Sequence, residues 1–396
     1  MSGIAPFTPG ETLRLLHDPR VASAGRAAAR AIRDASLAPL AELALDGGGT
    51  REVAFGVSLQ GLGPFLATLP PDPRLPVELR AHLDAEAARG AARGERILGL
   101  LGGIAARLAA ERIRAVPLKG AALLLSGIVP PGLRPMADLD LLFESESGLR
   151  RAAAVLAEAF AYAPLWNTAR HLVLAERDER VALPACEHPG NPLRIELHRA
   201  FRLEVLGRTL DATGELLART ERQGAWDVPT PDALLLQLLF HAAEDFAAKG
   251  LRGIQAVDFL VLARHRGPLA LPDLPAEARP PVALAARAVE ALFPGTFEPA
   301  SLARAAAAVS PRVLRRAEAI PVLRHARGAR GWTMTSLGLI QGALPAARFV
   351  VRTLFPPLDE VRANVAPEAT GLPLVAAWLR VLSGRLGSAF RRLRDR

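Results

Sequence analysis

Apolar and polar positions follow two different periods along the chain, and the change of period marks three regions. Through residues 11–114 the apolar positions recur at helical spacing. Ile97, Leu98, Leu101, Ile104 and Leu108 share one face of a long helical pattern over Leu79–Arg114, which Gly102-Gly103 is expected to break. Gly47-Gly48-Gly49 reads as a flexible joint and Pro70-Pro71-Asp72-Pro73 as a turn. From Ala115 to about residue 200 the apolar runs shorten and alternate. Strands are expected at Ala115–Leu118, Asp138–Phe143 and Leu193–His198, and a hairpin is expected to pair Leu172–Ala175 with Val181–Leu183 around Asp178-Glu179. Between them lie a helix over Ala121–Ser126 opening after Gly120, a Pro/Gly loop over Gly127–Pro135, and a helix over Ser147–Phe160 capped by Ser145 or Ser147. Helical spacing returns at Thr230-Pro231-Asp232, where a cap, a first-turn proline and an early acid announce a helix start. A second helix is expected over Leu251–Arg264 and a Pro-rich linker over Gly267–Pro281. Helices then run to the end, interrupted at Pro356-Pro357 and near Pro373, and the segment Trp378–Arg396 closes the chain as a basic amphipathic helix. The pattern predicts an α+β fold: a small mixed-sheet core over 115–225, flanked by an N-terminal helical region (1–114) and a C-terminal helical region (226–396).

Composition narrows the setting. Half of the 396 residues are apolar, enough for a sizeable core. The lone cysteine, Cys186, permits no intrachain disulfide and no multi-cysteine zinc site, which fits a reducing compartment. The first residues lack a basic-then-apolar leader, and no window approaches about 18 apolar residues. A cytoplasmic chain without a transmembrane segment is therefore expected. The net charge of +9 is carried almost wholly by arginine: the 49 basic residues include only two lysines, Lys119 and Lys249. The arginines are scattered, and one Tyr and four Trp offer few stacking platforms, so nucleic acid is not an expected partner. The basic last helix leaves peripheral contact with a membrane surface open. Nothing in the pattern indicates an oligomeric state.

The chemistry concentrates in Val116-Pro117-Leu118-Lys119-Gly120 and in Leu133-Arg134-Pro135-Met136-Ala137-Asp138-Leu139-Asp140. On a strand, residues i and i+2 point the same way, so Asp138 and Asp140 project from one face. Carboxylates that close repel unless a cation lies between them, and hard oxygen ligands suit Mg²⁺ with phosphate completing its shell. In Arg194-Ile195-Glu196-Leu197-His198 the polar residues share the face opposite Ile195 and Leu197. Placed beside the aspartate strand, Glu196 becomes a third carboxylate, and such a trio can hold two metals roughly 3.5–4 Å apart for in-line displacement at phosphorus. Lys119 and the Gly120 turn suit phosphate binding, through a compact ammonium and through backbone N–H groups. Arg134 serves either a phosphate, loop carbonyls or Asp138. His198, His241 and Asp258 are candidates for the acceptor side, each competing with a packing or pairing role; Asp245 and Asp258 either orient His241 or cap and pair with Arg252, and Lys249 reads as a helix-end lysine near Gly250.

This order of motifs resembles the uncharacterised bacterial nucleotidyltransferases of the DNA polymerase β-like superfamily. The resemblance includes the Lys-Gly turn, the Arg-x-Met-x-Asp-x-Asp strand, the Glu-Leu-His strand, the Leu-rich run Leu234–Ala243 ending in His-Ala-Ala, and Val257-Asp258. It covers about residues 80–265. It implies transfer of a nucleoside monophosphate from a nucleoside triphosphate, ATP foremost, with Mg²⁺ or Mn²⁺ held by Asp138, Asp140 and Glu196. The acceptor is a hydroxyl or phosphate of a small molecule, peptide or protein. The alternative is a non-catalytic nucleotide-binding or scaffold protein of a biosynthetic gene cluster. Two features depart from the wider superfamily: Lys119-Gly120 stands where Gly-Gly or Gly-Ser is usual, and the stretch from Gly120 to Asp138 is longer.

Overall fold

The computed structural model describes residues 4–5, 7–16, 18–168, 170–176, 192–318, 322–323, 338–340, 343–355, 358, 361 and 370–394. The N-terminal region is helical: α1 (Pro9–Leu15), α2 (Pro19–Arg33), α3 (Ala38–Leu43), a single π-helical turn (Ala44–Gly48), α4 (Thr50–Gln60), α5 (Gly63–Ala67) and α6 (Val77–Ala110). The sheet region follows as β1 (Ala115–Pro117), α7 (Lys119–Leu125), β2 (Asp138–Phe143), α8 (Glu146–Ala159), β3 (Tyr162–Asn167), β4 (His171–Glu176) and β5 (Arg194–His198). Two small hairpins come next, β6 (Arg202–Val205) with β7 (Arg208–Asp211) and β8 (Thr220–Gln223) with β9 (Trp226–Pro229), separated by α9 (Thr213–Ala218). The C-terminal region holds α10 (Pro231–Ala248), α11 (Gly253–Arg266), α12 (Arg279–Leu292), α13 (Pro299–Ala307), α14 (Pro311–Glu318), α15 (Ala343–Leu354) and α16 (Gly371–Arg394). This is the α+β architecture that the pattern predicts.

The five-stranded sheet has the order β1-β2-β5-β4-β3. Only β2 and β5 run parallel, and their register sets Asp138 opposite Arg194 and Asp140 opposite Glu196. Leu139, Leu141, Ile195 and Leu197 are fully buried, so the opposite face of both strands is left to the polar residues. A contiguous apolar core runs from Phe7 to Leu339 through all three regions; Val361, Leu374 and Ala377 form a separate small cluster near the C-terminus.

Several local expectations change. Helix α6 is unbroken: Gly103 lies against the Phe160 ring, while Ile97, Leu101, Ile104 and Leu108 are buried along one stripe. That burial outweighs the ~1 kcal/mol by which each interior glycine weakens a helix. Leu98, expected on the same face, is exposed. Strand β4 does form a local hairpin, but with the upstream strand β3 (Tyr162–Asn167), and its other edge pairs with β5. Val181–Leu183 and Cys186 lie outside the described residues. Pro280-Pro281 does not end a linker but sits in the first turn of α12, where missing N–H groups cost nothing.

The loop before β2 is clamped onto α6. A Cβ at Gly90 or Gly94 would run into the Gly132 backbone, and Gly132 itself has φ +88°. Two turns of glycine on one helix face thus let the Pro131–Pro135 segment lie directly on the helix. The buried Arg93 closes the clamp with an Nε–H donated to the Met136 carbonyl at 2.7 Å.

Candidate active site

Asp140 is the centre of the polar face of the sheet. Its carboxylate is buried at 3% exposure, and Oδ1 accepts from Lys119 Nζ at 2.6 Å and from His198 Nε2 at 2.8 Å. His198 Nε2 also lies 3.6 Å from Glu196 Oε2. Ligand atoms of Asp140, Glu196 and His198 all fall within 4.8 Å of one another. Asp138 lies two residues before Asp140 on the same strand, half-buried at its start and outside this tight group. The strand register that puts Asp140 opposite Glu196 therefore brings the third carboxylate beside the second.

The electrostatics follow from burial opposed by pairing. Desolvation works against the Lys119 ammonium, yet Asp140, Asp138 and Glu196 together outweigh it and raise its pKa. Burial favours a neutral Asp140, but Lys119 and His198 hold its carboxyl well below the usual range. Burial also opposes charge on His198, but its hydrogen bond to Asp140 and the nearby Glu196 carboxylate raise its pKa. Glu196 is lowered because the proximity of His198 and Lys119 overcomes its desolvation. The cluster is thus a set of ionised carboxylates around the Lys119 ammonium, which also favour the protonated form of His198. His171 stands beside it with its ring 5.4 Å from that of His198; burial pushes its pKa down to about 4, so this second ring is neutral near pH 7.

Lys119 reaches Asp140 because of an unusual backbone. It has φ +51°, a left-handed conformation in which a side chain costs ~1 kcal/mol or more relative to glycine. Helix α7 begins at this residue rather than after Gly120. The Lys119 N–H does not point at open space: it donates to Gln237 Oε1 of α10 at 2.5 Å. Gly120 is glycine for a packing reason, because a Cβ there would strike Met136 Sδ and crowd the Arg134 guanidinium.

Arg134 and Asp258 find each other. The guanidinium donates from Nε and Nη2 to the two Asp258 carboxylate oxygens at 3.1 and 2.9 Å, and from Nη1 to the Pro135 carbonyl at 2.8 Å. Asp258 therefore ties α11 to the loop before β2 rather than facing His241. His241 instead accepts from Gln255 Nε2 at 2.7 Å, and the same amide donates to Asp245 Oδ2 at 2.8 Å; Lys249 pairs with Asp245 at 3.0 Å. Burial, reinforced by the charge of Lys119, pushes His241 down to about 4.

Gln237 was not indicated by any chemical motif. It is fully buried, with Oε1 on Lys119 and Nε2 without a partner among the described residues. The available signal was a lone amide inside the run Leu234-Leu235-Leu236-Gln237-Leu238-Leu239, four residues before His241 and eight before Asp245. That spacing sets the three on one stripe of α10.

No curated protein and no solved structure matches the chain. A family model described as an uncharacterised nucleotidyltransferase does match, over residues 61–288. It spans more than half of the sequence and contains the Lys119 turn, the β2 and β5 carboxylates and the α10–α11 stripe, so this chain belongs to that nucleotidyltransferase family.

Proposed function

We propose that the protein transfers a nucleoside monophosphate from a nucleoside triphosphate, ATP foremost, to a hydroxyl or phosphate of an acceptor molecule, with a divalent ion, Mg²⁺ or Mn²⁺, as cofactor. The observation that carries this reading is the register of Asp140 against Glu196 with the Lys119 ammonium on the same carboxylate. The donor set suits a hard divalent ion: two carboxylates and an imidazole within 4.8 Å, and a further carboxylate two residues upstream on β2. Asp138, Asp140 and Glu196 would hold the ion, which when bound supplies Lewis-acid charge at the reacting phosphate.

The remaining work falls to the chain. Lys119 stays protonated beside the carboxylates and supplies a point charge to the triphosphate. The acceptor oxygen attacks the α-phosphorus, the bond to the leaving pyrophosphate breaks, and the acceptor proton passes to Glu196, which is ionised. The neutral His241 and Gln237 form the acceptor-side wall, with no charge to compete for phosphate.

The test is incubation with labelled nucleoside triphosphates, Mg²⁺ or Mn²⁺ and a panel of acceptors. An Asp138→Ala, Asp140→Ala variant that transfers label as well as the wild type refutes the assignment. Asp140 already carries two partners from its own chain, the Lys119 ammonium and His198, which favours a second reading as a nucleotide-binding scaffold; calorimetric triphosphate binding without turnover would support it.

A further inference from the structure

The C-terminal helices leave an apolar face uncovered. Of the eleven large apolar residues exposed among the described residues, eight lie between Leu344 and Leu379. On α16 they are Leu372 (84% exposed), Val375 and Leu379 (52%), at positions i, i+3 and i+7 of one stripe. The opposite side of the helix is engaged: Leu374 and Ala377 are buried with Val361, and Trp378 lies 6.4 Å from the Phe355 ring just beyond α15. Helix α15 adds exposed Leu344, Val350 and Val351. The two helices thus cover each other through one face and turn a second apolar face outward.

Charge decides what fits that face. The sequence of α16 carries Arg380, Arg385, Arg391, Arg392 and Arg394 and no Asp or Glu; α15 carries Arg348 and Arg352 and likewise no acid. The spacing Leu372, Leu379, Leu386, Leu393 matches the seven-residue repeat of a coiled coil. A second copy would nonetheless bring arginines against arginines with no acid on either helix to pair them, and Gly384 and Gly387 weaken a long seam. An anionic lipid surface satisfies both features, taking the apolar stripe into the headgroup boundary and the arginines onto phosphate. None of the described helices is long and apolar enough to cross a membrane.

We propose that α15 and α16 form a peripheral docking element that lies on anionic lipid bilayers. The test is flotation of the full chain with phosphatidylcholine vesicles containing or lacking phosphatidylglycerol. Co-flotation with the anionic vesicles only, falling as salt is raised from 0.05 to 0.5 M, is the expected result. Leu372→Glu with Leu379→Glu should lower partitioning by roughly tenfold or more, and Arg380→Glu by roughly fivefold or more, with thermal unfolding unchanged because all three side chains are exposed. Equal partitioning to neutral and anionic vesicles, absence of binding, or unaltered binding of the apolar variants overturns the proposal. So does concentration-dependent self-association in sedimentation equilibrium that the same leucine variants abolish without any vesicle binding.

Discussion

Two walls meet at Lys119, and they are built on opposite electrostatic terms. The sheet wall, Asp140, Glu196 and His198 on β2 and β5, is charged: its carboxylates are held ionised with Lys119 beside them, and they in turn favour the protonated form of His198. The helix wall, Gln237, His241 and Asp245 on α10, presents toward Lys119 an amide and a histidine that burial keeps neutral; its one carboxylate is answered by Lys249 and Gln255. Both walls are buried, so burial alone does not set ionisation; the nearest opposite charge does. A charged wall suits phosphate and metal, and a neutral one suits an uncharged group that must be oriented without being attracted.

The sharpest way to break this contrast is at Asp140. An Asp140→Asn variant is expected to lose roughly 10³-fold in transfer rate. It should also lose ~3–5 kcal/mol of stability, because Lys119 and His198 are left without their shared carboxylate. Adding Lys119→Met should restore most of the stability, read by urea unfolding, and none of the activity. If the single variant is as stable as wild type, the pairing is not what ionises the sheet wall.

On the helix wall, Gln237→Leu removes the acceptor of the Lys119 N–H and is expected to destabilise by ~1–3 kcal/mol. The pH response separates the two walls by sign. The unfolded chain protonates a histidine near pH 6.5, whereas folded His241 resists protonation until about pH 4. Its contribution to stability is therefore complete above pH 6.5 and declines as pH falls toward 4. His198 has the opposite sign: its raised folded pKa adds stability that is fully present below pH 6.5 and is lost as pH climbs through the folded value. Melting temperatures of His241→Gln and His198→Gln across pH 4–9 should flatten the acid limb and the alkaline limb respectively.

The smallest effect tests the backbone at the meeting point. Lys119→Gly and Lys119→Ala both remove the ammonium, but only alanine keeps a Cβ at φ +51°. Glycine should be the more stable of the two by ~1 kcal/mol, the reverse of the usual order in a helix, as read by thermal unfolding.

The polar half of the sheet wall was legible because strands have a period of two. Asp138, Asp140, Glu196 and His198 could be assigned to one face without knowing any neighbour. The long helices, the Lys-Gly turn and the family resemblance were legible for similar reasons, each being a local pattern. Sequence alone left open which strands pair. The parallel register of β2 on β5 depends on contacts between residues nearly sixty positions apart, and β4 finds its hairpin partner upstream in β3 and a second partner in β5. Gln237 escaped notice because an amide among leucines signals nothing until its partner, more than a hundred residues away, is brought against it. Arg134 likewise had three plausible partners in the sequence, and Asp258 emerged as its ion-pair partner only when α11 packed beside the loop. Periodicity and spacing determined which side chains share a face; tertiary packing decided which faces meet, because the energy that fixes ionisation and partnership falls off within a few ångströms in space and takes no account of distance along the chain.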